Sequence, residues 1–266
     1  MRKMLQTILT IVVCLYVFVC ALLYFFQEKL IFFPESLSAD HRFSFKQPFE
    51  EIFIKRDDQA TLHGLLFKAD SAKGLIFYLH GNAGSVDSWG EVNTAYTKHG
   101  YDVFILDYRG YGKSTGKITG QQTFFEDVQT AYNELKKHYT EDKIIIIGYS
   151  VGTGAAAKLA ADNHPKQLIL QAPYYSFTDL VKHKVPIVPS FILKYRFPIN
   201  EYIRSIQCPV TIFHGDADEV IYYGSSLKLQ ALFKPGDTLI TLHNQSHNGI
   251  TDNPEYQAMI DSIVAK

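Results

Sequence analysis

Gly148-Tyr149-Ser150-Val151-Gly152 is the stretch whose residue types and spacing can do chemistry. A serine hydroxyl is a weak nucleophile until its backbone presents it and a base takes its proton. The flanking residues speak to presentation. Lys143 to Ile147 is a β-branched run that reads as a fully buried strand, and Thr153 to Ala161 reads as a helix of small residues. The order strand, G-x-S-x-G, helix is the context of a nucleophile elbow. So sharp a turn forces the serine into a strained conformation, at a cost of roughly 1–3 kcal/mol. Glycines two residues to either side remove side chains that would collide across it. Without those flanks, the same five residues would be a glycine-rich connector with a surface serine.

The other chemistry-bearing residues also follow apolar runs. Leu75 to Leu79 reads as a central strand ending in His80-Gly81-Asn82, and Tyr101 to Leu106 as a strand ending in Asp107-Tyr108-Arg109-Gly110. Val210 to Phe213 leads into His214-Gly215-Asp216-Ala217-Asp218, and Thr238 to Leu242 leads towards Ser246-His247-Asn248. Glu51 to Lys55 and Thr61 to Phe67 read as an opening hairpin, and Gln167 to Gln171 as one more strand. Helices are predicted over Val86–His99, Thr123–His138, Tyr223–Leu232 and Pro254–Val264. Alternation of this kind means an α/β fold with a mostly parallel sheet. In such sheets ligands bind at the C-terminal strand ends, so Asn82, Ser150, Asp218 and His247 are expected on one edge. Residues 172–207, rich in Tyr, Phe and Pro, break the rhythm and read as a small lid over that edge.

The order Ser150, Asp218, His247, with HGNAGS, DYRGYGKS, GYSVG, HGDADEV and SHN at matching places, resembles the α/β-hydrolase-fold serine hydrolases across about residues 50–266. It is similar to their small-lid, serine aminopeptidase-like branch, which includes membrane-anchored lysophospholipases and protein depalmitoylases. The resemblance implies a carboxylic ester, thioester or lipid-like acyl substrate and no cofactor. It also implies roles: Ser150 as nucleophile, His247 as base, Asp218 as its orienting carboxylate, and the backbone N–H groups of Asn82 and Val151 as an oxyanion hole. Each side-chain role has a rival. Asp216 lies two residues from Asp218, but the family pattern H-G-x-x-D counts from His214 to Asp218. His243 ends a strand, whereas His247 enters the following loop. His80, His214 and Arg109 read as braces, Trp89 as a packing residue, and Tyr149 either as pocket wall or as packing. A peptidase acting on N-terminal residues, or a non-catalytic binding module on the same fold, are the alternatives.

The whole chain narrows the class further. It has 266 residues, 47% of them hydrophobic, and a net charge of -1, with no basic field for nucleic acid. There is no C-x-x-C and no H-E-x-x-H, so no metal site is expected. From Leu5 to Phe26 no residue is charged. As a helix this run spans about 33 Å, enough to cross a bilayer core of about 30 Å. Arg2 and Lys3 precede it, which predicts a cytoplasmic N-terminus and a catalytic domain across the membrane, periplasmic in a bacterium. No A-x-A-like site follows the run, which counts against a cleaved signal peptide. The expected organisation is an anchor over 1–27, a juxtamembrane connection over 28–49 and a hydrolase domain over 50–266 with its lid at about 172–207. Leu30 to Pro34 is equally suited to the lipid interface and to packing on the domain.

Overall fold

The computed structural model describes residues 1–264; the last two residues of the predicted hydrolase domain, 265–266, lie outside the described residues. The described residues form one eight-stranded sheet in the order β10-β9-β8-β7-β4-β6-β3-β2. Its strands are β2 (Phe49–Lys55), β3 (Thr61–Phe67), β4 (Gly74–Leu79), β6 (Tyr101–Asp107), β7 (Ile144–Tyr149), β8 (Gln167–Gln171), β9 (Val210–Gly215) and β10 (Thr238–Leu242). The hairpin β2–β3 and the β3–β6 pair are antiparallel, and every other neighbour is parallel. A two-stranded patch, β1 (Phe33–Pro34) with β5 (Ala83–Gly84), lies apart from the sheet.

Side chains alternate across the sheet with the period of two that strands impose. Phe77, Phe104 and Ile146 point to one face, under α5 (Gln121–Leu135) and α6 (Gly152–Asp162). Ile76, Tyr78, Ile105, Ile145 and Ile147 point to the other, under Tyr256 and Ile260 of α10 (Pro254–Val264). Both faces are covered, so β4 and β7 are apolar along their whole length instead of alternating.

The helix predicted over Val86–His99 is in fact three short pieces: α3 (Val86–Trp89), a 3-10 turn (Gly90–Asn93) and α4 (Thr94–Thr97). Asn93 Nδ2 donates to the Gly90 carbonyl at 2.7 Å and Thr94 Oγ1 to that of Glu91 at 2.9 Å, so side chains claim acceptors a continuous helix would use. The ring of Phe45 also occupies the space beside Gly90, where a Cβ would come within 2.3 Å of it. Between β8 and β9, the lid holds α7 (Phe177–Lys184), a 3-10 turn at Ser190–Ile192 and α8 (Ile199–Tyr202). α9 (Gly224–Gln230) then packs beside β10.

At the N-terminus, α1 (Arg2–Phe25) is 24 residues long, with a mean hydropathy of 2.8 over its most apolar stretch, and no residue in it is buried by protein. A five-residue helix, α2 (Gln27–Ile31), follows directly. Within Leu30–Pro34 the centre packs on the domain while Leu30, Phe33 and Pro34 stay exposed: Ile31 and Phe32 are buried, and the Phe32 ring lies 5.7 Å from that of Phe124 and 5.3 Å from that of Tyr195.

Candidate active site

Ser150 sits between β7 and α6 with φ of +51°, in the left-handed region that side chains disfavour. Its neighbours hold it there. Its N–H donates to the Gln171 carbonyl at 2.9 Å, and Thr153 Oγ1 donates to its carbonyl. The two elbow glycines are required by contact. A Cβ on Gly148 would lie 2.6 Å from that of Ala156, and one on Gly152 would lie 2.3 Å from the Leu79 carbonyl oxygen. The second contact presses the start of α6 against the loop that begins at His80.

His247 Nε2 lies 3.0 Å from Ser150 Oγ, and its Nδ1 lies 2.7 Å from Asp218 Oδ2. An ionised carboxylate only accepts, so Nδ1 carries the proton and Nε2 is free to accept from the serine hydroxyl. Asp218 Oδ1 accepts the N–H groups of Val220 and Ile221, each at 2.8 Å. His214 Nε2 lies 2.9 Å from the Ile221 carbonyl and 3.2 Å from Asp218 Oδ2, while its Nδ1 lies 2.6 Å from Ser226 Oγ. Burial opposes ionisation of Asp218, but the hydrogen bonds from His214 and His247 outweigh it, holding the carboxyl well below the usual carboxylate range.

The rivals Asp216 and His243 are joined to each other. Asp216 Oδ2 lies 2.9 Å from His243 Nδ1, and its Oδ1 accepts the Asn244 N–H at 2.7 Å. Arg109 is a brace, forking onto Asp127 at 2.5 and 2.8 Å and reaching Asp58 at 2.6 Å. Trp89 lies over the His80 loop: its ring is 3.0 Å from where a Gly81 Cβ would stand, and its Nε1 donates to the Ala83 carbonyl. Tyr149 donates its hydroxyl to the His247 carbonyl, so it fixes the loop that carries the imidazole. His80 is fully buried beside this loop and bonded to the Gly81 carbonyl at 2.7 Å; burial pushes its pKa down, and the charge of Asp107 only partly opposes that.

Tyr111 donates to the Asn82 carbonyl at 2.7 Å and the Phe33 N–H to the same oxygen at 2.9 Å, which fixes the chain just after Asn82. Among the described residues, the backbone N–H groups of Asn82 and Val151 have no acceptor. Both residues line the same cavity of about 100 Å³ as Ser150. The rest of its wall is apolar: Leu30 and Ile31 from α2, Tyr174, Phe177 and Leu180 from the lid, and Ile221. A larger, more polar groove of about 680 Å³ runs from Trp89 and Tyr149 to Asn248 and Asp252, and Ser150 does not line it. His214 braces its own turn through Ile221 and Ser226, as the sequence implies, and its approach to Asp218 is the addition that the sequence reading lacks. The signal was its i, i+4 spacing from that residue.

Comparison with known proteins places this geometry in context. The serine aminopeptidase (S33) family profile matches residues 70–201, which include Ser150 and stop before Asp218 and His247. Protein Bem46 of Schizosaccharomyces pombe is 29% identical over 217 residues, 75% of this chain and 72% of that protein. The lysophosphatidylserine lipase ABHD12 of Macaca fascicularis is 26% identical over 227 residues, 74% of this chain and 57% of that protein. A Pyrococcus furiosus esterase shares the fold with a TM-score of 0.70 at 18% identity, over 88% of this chain and 97% of its own.

Proposed function

We propose that this serine hydrolase of the α/β-hydrolase fold cleaves carboxylic ester or thioester bonds of acyl or lysolipid-like substrates through an acyl-enzyme on Ser150. The observation that carries this reading is the unbroken chain from Asp218 through His247 to Ser150, at 2.7 and 3.0 Å, beside a small apolar cavity. In the forward step His247 Nε2 takes the hydroxyl proton as Oγ attacks the carbonyl carbon. Asp218 holds the imidazole in the required tautomer and stabilises the imidazolium. The N–H groups of Asn82 and Val151 receive the negative charge that develops on the carbonyl oxygen. Collapse expels the alcohol or thiol, protonated by His247. Water then repeats the sequence on the acyl-enzyme and releases the acid.

The apolar lining favours a hydrocarbon acyl chain over a charged amino terminus, and the lipase among the relatives supports the same class. We further propose that α1 anchors the protein in a bilayer, with Arg2 and Lys3 on the cytoplasmic side and the hydrolase domain, from about residue 50 onward, across it. That side is the periplasm in a bacterium. Assays of p-nitrophenyl acyl esters beside aminoacyl amides test the activity. Ester turnover abolished by Ser150→Ala is expected, and turnover of amides alone would overturn it in favour of a peptidase. Retention in the membrane pellet after carbonate extraction is expected of the anchor, and release would remove it.

A further inference from the structure

The lid carries a stretch that neither the triad nor the cavity uses. Val185-Pro186-Ile187-Val188-Pro189-Ser190-Phe191-Ile192-Leu193 has no charged residue and lies between Lys184 and Lys194. Its tip is turned outward: Ile187 is 72% exposed and Phe191 80%. A water-facing loop seldom clusters apolar side chains in this way.

Its position relative to α1 gives it a partner. Tyr16 Oη donates to the Ile187 carbonyl at 2.8 Å. Tyr16 lies nine residues before Phe25, the last residue of α1, and so about 14 Å back along the helix axis at about 1.5 Å per residue. At the end of α1 the chemistry changes. Lys194 pairs with Glu28 at 3.2 Å and lies over the Tyr24 ring, and Lys29 lies over the Phe26 ring. Aromatic rings among charged heads mark the level of a membrane interface. Gln27 Nε2 donates to the Ile192 carbonyl at 2.7 Å, and its Oε1 accepts the Lys194 N–H at 2.9 Å, which ties the lid to this level. From Lys194 back to Ile187, the lid therefore descends along α1 by a distance close to one leaflet's hydrocarbon depth of about 15 Å.

We propose that the lid tip, Val185–Phe191, is inserted in the acyl-chain layer of the bilayer beside α1, and that the cavity at Ser150 is filled from that leaflet instead of from water. This rests on the reading of α1 as an anchor. Buried in hydrocarbon, the Tyr16 hydroxyl and the Ile187 carbonyl each need a partner, and each supplies the other's. The prolines at 186 and 189 have no N–H to leave unsatisfied there, and the Val188 N–H donates to the Val185 carbonyl at 3.0 Å; the N–H groups of Ile187, Ser190 and Phe191 have no acceptor among the described residues and would take lipid ester oxygens or water. One wall residue of the cavity stands near the same level: Leu30 lies four residues past Phe26 and is 57% exposed. An acyl chain leaving the leaflet between α2 and α7 meets Leu30, then Phe177 and Leu180, then Ser150.

The test is depth-dependent quenching of the full chain in phosphatidylcholine vesicles. One sample carries an NBD fluorophore on the native Cys14, which is exposed on α1, with Cys20→Ala and Cys208→Ala. The other carries it at Ile187→Cys, with all three native cysteines changed to Ala. Quenching at both positions is expected to be stronger from acyl-chain nitroxides than from headgroup nitroxides. Acyl-chain quenching at position 14 with water-like emission at 187 would overturn lid insertion and leave the anchor intact. Water-like emission at both positions would overturn the anchor reading itself. For delivery from the leaflet, the Ile187→Glu, Phe191→Glu variant is expected to hydrolyse an oleoyl lysophospholipid in vesicles about tenfold more slowly while p-nitrophenyl butyrate turnover stays the same. Unchanged rates on both substrates would overturn it.

Discussion

Two Asp–His pairs stand on the same two loops. Asp216 meets His243 at 2.9 Å, and Asp218 meets His247 at 2.7 Å. Residue types and bond lengths barely differ, so the contrast lies in the surroundings. The His243 side chain is 75% exposed, while that of His247 is 8% exposed. Asp216 has the Asn244 N–H as its one further donor given by the fold; Asp218 has the N–H groups of Val220 and Ile221 and the ring of His214. Of the two, only His247 has a serine hydroxyl on its far nitrogen. A hydrogen bond in water is one exchange among many, whereas the same bond in a desolvated site orients an imidazole and keeps its partner ionised. In this reading, catalysis belongs to the pair that is buried, over-determined and aimed at a serine.

Breaking each pair in turn gives the largest expected separation. Asp218→Asn removes the acceptor that selects the His247 tautomer, and kcat on an acyl ester is expected to fall by about 10³–10⁴. Asp216→Asn is expected to stay within about twofold, because exposed pairs contribute little. Next in size is His214, a positioning residue. His214→Phe is expected to lower kcat by up to about tenfold with KM unchanged, because its Nε2 proton is shared between the Ile221 carbonyl at 2.9 Å and Asp218 at 3.2 Å and supplies less than a full charged hydrogen bond of roughly 1.5–3 kcal/mol. His214→Gln, which keeps an N–H donor, should recover part of that loss; equal loss in both variants would point to packing alone.

The pH dependence of folding sharpens the same comparison. The Asp218 carboxyl is held below its unfolded value, so its contribution to stability is present above the ordinary aspartate range, about pH 4, and lost as pH falls through the lowered value. Urea unfolding should therefore show Asp218→Asn less stable than wild type at pH 7, with the gap narrowing below about pH 4. The smallest expected effect has the opposite sign. Ser150→Gly relieves a positive φ, and is expected to raise Tm by about 2–4 °C, for roughly 1 kcal/mol, in an enzyme it inactivates. A lowered Tm would mean that Ser150 is not strained.

The legible parts of the molecule were those where local pattern and tertiary role coincide. Ile144 to Ile147 can be little other than a buried strand, and glycines spaced around Ser150 have a steric reason that the contacts at Leu79 and Ala156 bear out. Gln167–Gln171, Thr238–Leu242 and Pro254–Val264 have the bounds their patterns imply. What stayed hidden depends on distant partners. Nothing local tells whether Ile31 and Phe32 face lipid or the rings of Phe124 and Tyr195, because both surroundings are apolar. The break after Trp89 needs Phe45, and the bond between Tyr16 and Ile187 spans 171 residues. His214 was visible as a residue, but its hold on Asp218 is a matter of geometry.

The central claim, that Ser150 is an activated nucleophile, is tested most directly by labelling with a fluorophosphonate probe, which reacts with a serine whose base is in place. Full-length wild type in membranes is expected to label and Ser150→Ala is not. Wild type of native circular dichroism that fails to label, or a mutant that labels equally, would contradict the account.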